Sequence, residues 1–496
     1  MGNNQVGISG FAAYLPPYRV DLQDWCEWTG NDWEKIRNVV GTGFRMLGPA
    51  QSVYTLAATA TLRLIDQYDI DPQRIRFLGL GTESSTDNSA GAVIVKGMLD
   101  EALRQRGQNP ISRNCEVPEI KHACLGGVYA MKNALRFLAL EPRDSVAIVV
   151  SADIAKYDLG SSGESTQGAG AVAMLLEKNP TLLEVDVTAC GSASDYRAVD
   201  FRKPMTRPAN GNGGDSTKFH DTPVFNGKYS TSCYLDEIVH ALRDMESKLD
   251  RDSADYYAAL RAVFMHRPYQ QMPVNSWGFS YLVGLAHDGE AGNAELAEYC
   301  GSADLQFSDV LAEMRSVPNI LSMALEGDLN RDPYPMTMQL LKGFRNCDRF
   351  KSMIEEQMSL GSDTVRELGN VYSASLPAWI AAGLDEALRR DIDLAGQDIL
   401  AIGYGSGDAA EAIPMRAATT WREAASRIKF AASMEPVQDL DQSQYRSLHA
   451  TGHADSLQLE QDQEFMIERV GCGSQPSYAD DGIEYYRFVP GNRIST

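Results

Sequence analysis

The chain is poor in several features that would assign it a class at once. None of its apolar runs approaches the roughly 18 residues a membrane-spanning helix needs. The opening Met1-Gly-Asn-Asn-Gln-Val-Gly-Ile-Ser-Gly lacks the basic start and long apolar centre of a secretory signal, so a cytoplasmic protein is expected. Eight cysteines (Cys26, Cys115, Cys124, Cys190, Cys233, Cys300, Cys347 and Cys472) are scattered with no C-x-x-C pair. That spacing argues against a zinc site or a disulfide framework and fits reduced thiols. Positive charge is scarce: 45 Lys and Arg stand against 67 Asp and Glu, for a net charge of −22. Nucleic acid and anionic membranes are therefore disfavoured partners, and a phosphate-rich ligand would need a local basic patch. There is no P-loop lysine motif, no H-E-x-x-H and no low-complexity block.

What is present is material for a large core. With 496 residues, 44% of them hydrophobic, the chain suffices for two fused units or one double-sized domain. The first half alternates strands and helices. Val6 to Leu15 reads as a strand, Ser52 to Tyr68 as a helix capped by Ser52, and Ile75 to Gly81 as a buried strand. Ser145 to Ala152 and Gly168 to Leu176 are continuous apolar strands, which implies a sheet covered on both faces.

A repeat links the two halves. Cys124-Leu-Gly-Gly-Val-Tyr-Ala leads through a helix to Ser145-Val-Ala-Ile-Val-Val, and Asn370-Val-Tyr-Ser-Ala-Ser-Leu-Pro leads through another to Asp398-Ile-Leu-Ala-Ile. Each unit is a small-residue turn, an apolar helix, a charged loop and a buried strand. Duplication of this kind predicts a five-layered α/β/α/β/α body with the site where the two half-sheets meet. Boundaries are expected at 1–180 for the first half and 181–415 for the second, which carries helical insertions. A C-terminal appendage, 416–496, has strand candidates at Phe465–Val470 and Ile483–Val489. Helical composition is read at Tyr234–Leu249, Asp252–Val263, Glu295–Arg315 and Gly343–Leu360, and a Gly/Asn-rich loop at 208–215.

Cys124 stands where polar sequence passes into an apolar helix, with Gly126 and Gly127 leaving space beside the sulfur. A buried, inert thiol is the bland reading. The reactive one is a thiolate stabilised by the helix N-terminus. Glu83 closes the strand in Leu80-Gly-Thr-Glu-Ser, either as a cap or as a general base whose pKa is raised by burial. His266 follows an apolar run, as a structural histidine or a proton manager. The turn Gly403-Tyr-Gly-Ser-Gly407 either cradles phosphate or contributes to an oxyanion hole. Together, Cys, Glu and His suit carbon–carbon bond formation through a thioester enolate.

Eight motifs, in order, resemble the 3-hydroxy-3-methylglutaryl-CoA synthases of the thiolase-fold condensing enzymes: Gly81-Thr-Glu-Ser, His122-Ala-Cys-Leu-Gly-Gly, Ala152-Asp-Ile-Ala-Lys-Tyr157, Ser165 to Met174, Asn226 to Tyr234, His266-Arg-Pro-Tyr, Gly369-Asn-Val-Tyr-Ser-Ala-Ser and Tyr404-Gly-Ser-Gly407. The resemblance covers about residues 5 to 415. It implies that Cys124 takes the acyl group, Glu83 is the acid/base of condensation and His266 polarises the acceptor, with Asn370 nearby. It also implies that the Cys124 and Ser406 N–H groups hold the oxyanion and that Tyr157 and Tyr372 shape the pocket. Acetyl-CoA and a β-ketoacyl thioester would be the substrates, acetoacetyl-CoA foremost, with no metal or other cofactor. A homodimer in isoprenoid supply by the mevalonate pathway is implied. The chain departs from the family pattern at Leu125, where a Tyr is usual, and at Asn226, where Asp is usual. It departs again at Gln270, Gln271 and Met272, where lysines usually meet coenzyme A, leaving Arg267 as the candidate CoA contact. Leu125 is the residue expected to alter substrate choice.

Two alternatives follow. The acceptor is a chain on an acyl carrier protein, held by a patch of Arg202, Lys203, Arg207 and Lys218, or the protein is a non-catalytic acyl-binding partner.

Overall fold

The long apolar runs of the sequence become strands buried on both faces, and the helices between them supply the covering layers. The computed structural model describes residues 5–87, 90–141, 144–203, 207–208, 217–218, 222–249, 251–454, 457, 464–473 and 478–491, with backbone alone at 207–208 and 217–218. The expected Gly/Asn-rich loop falls almost wholly outside these residues.

The first half runs β1 (Val6–Tyr14), α1 (Val53–Gln67), β2 (Ile75–Gly81), α2 (Gly91–Gln105), β3 (Glu119–Ile120), α3 (Gly126–Leu140), β4 (Val146–Ala155) and β5 (Gly168–Lys178). A short β6 (Leu183–Val185) leads to the second half: β7 (Gly191–Ser194), α4 (Gly227–Glu246), β8 (Ala262–Met265), α5 (Gln271–His287), α6 (Ser375–Arg389), β9 (Asp398–Gly405) and β10 (Ala409–Ala417). Helix α7 (Gln442–Thr451) follows.

Strand pairing makes the duplication explicit. In the first half β1 pairs with β5 and β5 with β4, both antiparallel, and β4 with β2 in parallel. In the second, β7 pairs with β10 and β10 with β9, again antiparallel, and β9 with β8 in parallel. The two half-sheets join through β6, which pairs with both β1 and β10. The backbone repeats as well. Ala123, three residues before α3, has φ 41°, and Tyr372, three residues before α6, has φ 44°. Left-handed backbone at a non-glycine residue is costly and is kept where surrounding structure enforces it.

Layering follows from the cores. Helices α1 and α2 cover one face of the first half-sheet in a cluster with Leu56, Leu62, Val95 and Leu99. Helices α3 and α6 share a second cluster between the sheets, and α4 and α5 close the far side. This is the expected five-layered order. The Ser52 cap is present, with Thr55 completing a capping box. One expectation fails: Ala262–Met265 is a strand, although the reading carried a helix through Val263, and the helix there ends at Ala259.

The C-terminal segment is tied to the body. Strands Glu464–Val470 and Glu484–Val489 pair, and Phe465 and Phe488 enter the core beneath α1 and α2. Among the described residues no helix is long and apolar enough to cross a membrane.

Strand β2 and helix α3 meet at two glycines. A Cβ on Gly81 would lie 2.3 Å from the Gly127 backbone N and Cα, where no side chain can yield. Gly81→Ala is therefore expected to cost about 3 kcal/mol or more, read from the denaturant midpoint; a change under about 0.5 kcal/mol would contradict this packing.

Candidate active site

Three segments converge at the ends of β2, α3 and β4. The turn Thr82-Glu83-Ser84 leaves β2 and wraps around the carboxylate of Asp153, which lies inside β4 and is fully buried. Asp153 Oδ1 accepts from Thr82 Oγ1 (3.0 Å), Glu83 N (2.8 Å), Ser84 N (3.0 Å) and Ser84 Oγ (2.7 Å). Its Oδ2 accepts from Ser373 N (2.9 Å) and Ser373 Oγ, and that hydroxyl also reaches the Gly81 carbonyl (2.9 Å). One carboxylate thus binds the Glu83 turn of the first half to the Tyr372–Ser373 turn of the second. Burial raises its pKa, and this cage of donors opposes the rise.

Cys124 sits two residues before α3, with its sulfur 4.0 Å from Glu83 Oε2. Glu83 Oε1 lies 2.9 Å from Lys203 Nζ, and that ammonium also stands 4.7 Å over the Tyr372 ring. Burial raises the pKa of Glu83, as does Asp153, while Lys203 lowers it. The same burial, together with the Glu83 charge, pushes the Cys124 thiol well above its ordinary range. This corrects the expectation of a resting thiolate. The helix start is present, but burial beside a carboxylate outweighs it, so the resting species is a thiol next to an ionisable base.

Cys124 opens into a cavity of about 300 Å³ lined by Tyr157, Phe201, Phe225, His266, Asn370, Tyr372, Tyr404 and Ser406 among others. Glu83 opens instead into an adjoining cavity of about 360 Å³ with His122, Arg202 and Lys203, and the two share Phe201 and Ser406. His266 is buried, and burial lowers its pKa to about 3, so the ring is neutral. Its Nδ1 is buried without a partner. A bare lone pair costs less there than an unmet N–H, which puts the proton on Nε2. The His266 backbone is fixed by N–H donation to Ile402 O (2.8 Å) and by the Tyr234 hydroxyl on its carbonyl (2.7 Å). Asn370 Oδ1 accepts from Tyr372 N (3.0 Å) and Ser375 Oγ (3.1 Å), leaving its amide N–H₂ as the free donor. The C-terminal segment supports this wall from behind: Tyr445 donates to Glu164 (2.7 Å), and His449 Nε2 lies 2.8 Å from Tyr157 O.

Of the sequence candidates, Cys124, Tyr157, His266, Asn370, Tyr372 and Ser406 line one cavity, and Glu83 faces Cys124 from the next. Two expectations are corrected. Arg267 is buried, donates to Ser362 O (3.0 Å) and stands over Trp379, so it presents nothing to a coenzyme A phosphate. In an extended segment successive side chains alternate, and a His266 facing the cavity turns Arg267 inward. Leu125 is fully buried and lines neither cavity. A Cβ on Gly403 would lie 2.7 Å from Leu125 Cδ1, and one on Gly405 2.7 Å from Leu125 Cβ. The sequence assigns Asp153 no role in its motif and places Lys203 only in the candidate carrier-protein patch. Arg207 and Lys218 have side chains outside the described residues.

One buried group of possible metal donors occurs among the described residues: Asp200, Cys233 and Asp408, all within 4.8 Å of one another. Its charge already meets protein partners. Tyr404 OH lies 2.5 Å from Asp408 and 3.1 Å from Asp200, and Arg197 Nε is 3.7 Å from Asp408.

Residues 3–180 match the family model described as hydroxymethylglutaryl-coenzyme A synthase N terminal. A hydroxymethylglutaryl-CoA synthase of Haloferax volcanii is 25% identical over 463 residues, covering 92% of this chain and 94% of that one. These matches support the hydroxymethylglutaryl-CoA synthase family. The family member of Enterococcus faecalis is 31% identical over 268 residues, 54% of this chain and 62% of its own length. A solved MvaS in complex with 3-hydroxy-3-methylglutaryl coenzyme A superposes with a TM-score of 0.73 at 25% identity, over 98% of this chain and 99% of that one. The hydroxymethylglutaryl (HMG) synthase of the curacin biosynthetic pathway, solved with an acetyl donor carrier protein, shares the fold at a TM-score of 0.71 and 17% identity, over 98% and 100% of the two chains.

Two outcomes test this family site as drawn. Asp153→Asn replaces an all-acceptor carboxylate with an amide that must turn N–H toward donors, at an expected cost of about 2–4 kcal/mol in unfolding free energy. Acid stability tests His266. Its folded pKa of about 3 lies below the unfolded value of about 6.5, so the unfolded chain binds the extra proton and stability falls as pH drops from about 6.5 towards 3. Relative to His266→Gln, the wild type should lose about 2–3 kcal/mol more between pH 6.5 and 4.5; parallel curves would place a solvated histidine there.

Proposed function

We propose that the protein condenses an acetyl group, carried on Cys124, with a β-ketoacyl thioester, acetoacetyl-CoA foremost, and so acts as a hydroxymethylglutaryl-CoA synthase. The observation that carries this reading is the 4.0 Å approach of the buried Cys124 sulfur to Glu83, with neutral His266 lining the same cavity as the cysteine. A purely acyl-binding partner has no use for a thiol, a base and a neutral imidazole held in this order.

In the first half-reaction the Cys124 thiol gives its proton to Glu83 as sulfur attacks the acetyl-CoA carbonyl. Coenzyme A leaves as its thiol, taking that proton. Glu83, again a carboxylate, then removes a proton from the acetyl methyl, and the enolate oxygen is held by the N–H groups of Cys124 and Ser406. The enolate carbon attacks the acceptor ketone, whose oxygen is polarised by the His266 Nε2–H and is protonated by the proton that Glu83 took from the acetyl methyl. A neutral donor suits this step, because its proton is present throughout the working pH range. Water finally hydrolyses the Cys124 thioester, its hydroxyl passing to the acyl carbon and its proton to sulfur. Tyr157 and Tyr372 wall the cavity, and Asn370 offers its amide to the acceptor. A homodimer acting in the cytoplasm in the mevalonate pathway, with no metal or redox cofactor, belongs to the same reading.

A second acceptor is favoured by one observation. Among the described residues no lysine or arginine lines the Cys124 cavity, so a β-ketoacyl chain delivered by a carrier protein stands beside acetoacetyl-CoA. Steady-state rates with the two acceptors decide between them.

Mass spectrometry after incubation with acetyl-CoA should show an adduct of about 42 Da, absent in Cys124→Ala. Glu83→Ala should form the adduct more slowly, having lost the group that takes the thiol proton, and should lose condensation. Absence of any adduct with acyl-CoA would overturn the proposal, and unchanged condensation would remove Glu83 from its role.

A further inference from the structure

The reaction above asks an awkward thing of Glu83. It must be ionised to take the proton from sulfur, and ionised again to take the proton from carbon, yet it is buried beside another carboxylate. Among the described residues the charged and titratable groups around it are Asp153 from β4, Cys124 before α3, Tyr157 after β4, Tyr372 before α6, Lys121 and Lys203, with His122, Tyr196 and Arg202 lining the same cavity. Lys121 is turned away: its ammonium lies 2.9 Å from Ser85 O and 3.9 Å from Glu119. Lys203 is the cation in contact, 2.9 Å from Glu83 Oε1, on the opposite side of the carboxylate from the oxygen that faces sulfur.

Its placement is built. Lys203 follows the short strand Phe201–Arg202, which pairs with Val224–Phe225. Asp200, just before, is fully buried with its carboxylate 3.1 Å from Tyr404 OH, and the Phe201 ring lies edge-on to Tyr372, 5.9 Å between centroids. The lysine stem is thereby fixed at the cavity wall. Its side chain is 20% exposed against 8% for Glu83, and the ammonium is shared with the face of the buried Tyr372 ring. An exposed, freely rotating ion pair contributes little. This pair is held on both sides, and its partner is the proposed base.

We propose that Lys203 is a positioning residue of the condensation, holding the Glu83 carboxylate charged and turned towards Cys124 between proton transfers. The inference rests on the acyl-enzyme reading of Cys124 and Glu83. Lys203 forms no bond to substrate. With it, Glu83 works as a base at lower pH than burial alone would allow. The direction agrees with its lowering influence on Glu83 and on the Cys124 thiol.

The test uses the full chain with Lys203→Met, Lys203→Gln and Lys203→Arg. Removing the charge raises the pKa of Glu83. The base form is lost as pH falls through that value, so the acid limb of kcat/KM for condensation should move up by about one pH unit or more in both neutral variants. Below the limb this is a loss of about tenfold or more. Lys203→Arg should restore the wild-type limb, and KM for acetyl-CoA should stay within about twofold, because the lysine touches no substrate. An acid limb unmoved in Lys203→Met and Lys203→Gln, at wild-type thermal stability, would overturn the proposal. If one neutral variant fails to fold, the other carries the measurement. Acetyl adduct formation on the wild type is scored separately: its absence would sink the acyl-enzyme reading itself, whereas an adduct with an unmoved limb would sink only the role of Lys203.

Discussion

Both halves of the site close on the Asp153 carboxylate. Its one oxygen gathers the Thr82–Ser84 turn and its other oxygen gathers Ser373, so a single buried charge sets the distance between the Glu83 turn and the turn that carries Tyr372. The Thr82–Ser84 turn lies past the end of β2, and Tyr372–Ala374 is a single 3₁₀ turn leading into α6. The duplicated fold packs Cys124, next to the left-handed Ala123, in one cluster with the left-handed Tyr372. Without a common acceptor, the buried N–H and O–H groups of both turns would lie unpaired, at a cost of about 1–3 kcal/mol each. The cavity walls, the approach of Cys124 to Glu83 and the seat of Lys203 on Tyr372 all follow from that arrangement.

Burial then decides the chemistry. The Cys124 thiol and the Glu83 carboxyl both rise in pKa, which in the proposed mechanism keeps the proton they exchange within the pair until a thioester arrives. An imidazole lowered to about 3 is a neutral donor at every working pH. Each group is held in its uncharged or locally compensated form by desolvation, and among the described residues Lys203 is the cation paired with Glu83.

Local signals in the sequence reached a long way. The Ser52 cap, the continuous apolar strands, the small-residue turns before α3 and α6 and the C-terminal hairpin are all recognisable from neighbouring residues. So are Cys124, Glu83 and His266, whereas Asn370 and Tyr372 enter only through the family resemblance. What escaped has a non-local cause. Ala262–Met265 is four apolar residues, too short for a period to separate strand from helix. Asp153 acts through donors about 70 and 220 positions distant, which leave no pattern beside it. The direction of Arg267 and the burial of Leu125 depend on which face of the chain meets the core, and the thiol's raised pKa depends on a carboxylate 41 residues away.

The most direct measurement is a single-turnover chase. Protein carrying a labelled acetyl group on Cys124 is isolated and mixed with acetoacetyl-CoA, and the label is followed. Condensation at this site predicts that the label leaves the protein within a branched dicarboxylic CoA thioester. Label recovered only as free acetate or acetyl-CoA would contradict carbon–carbon bond formation on Cys124.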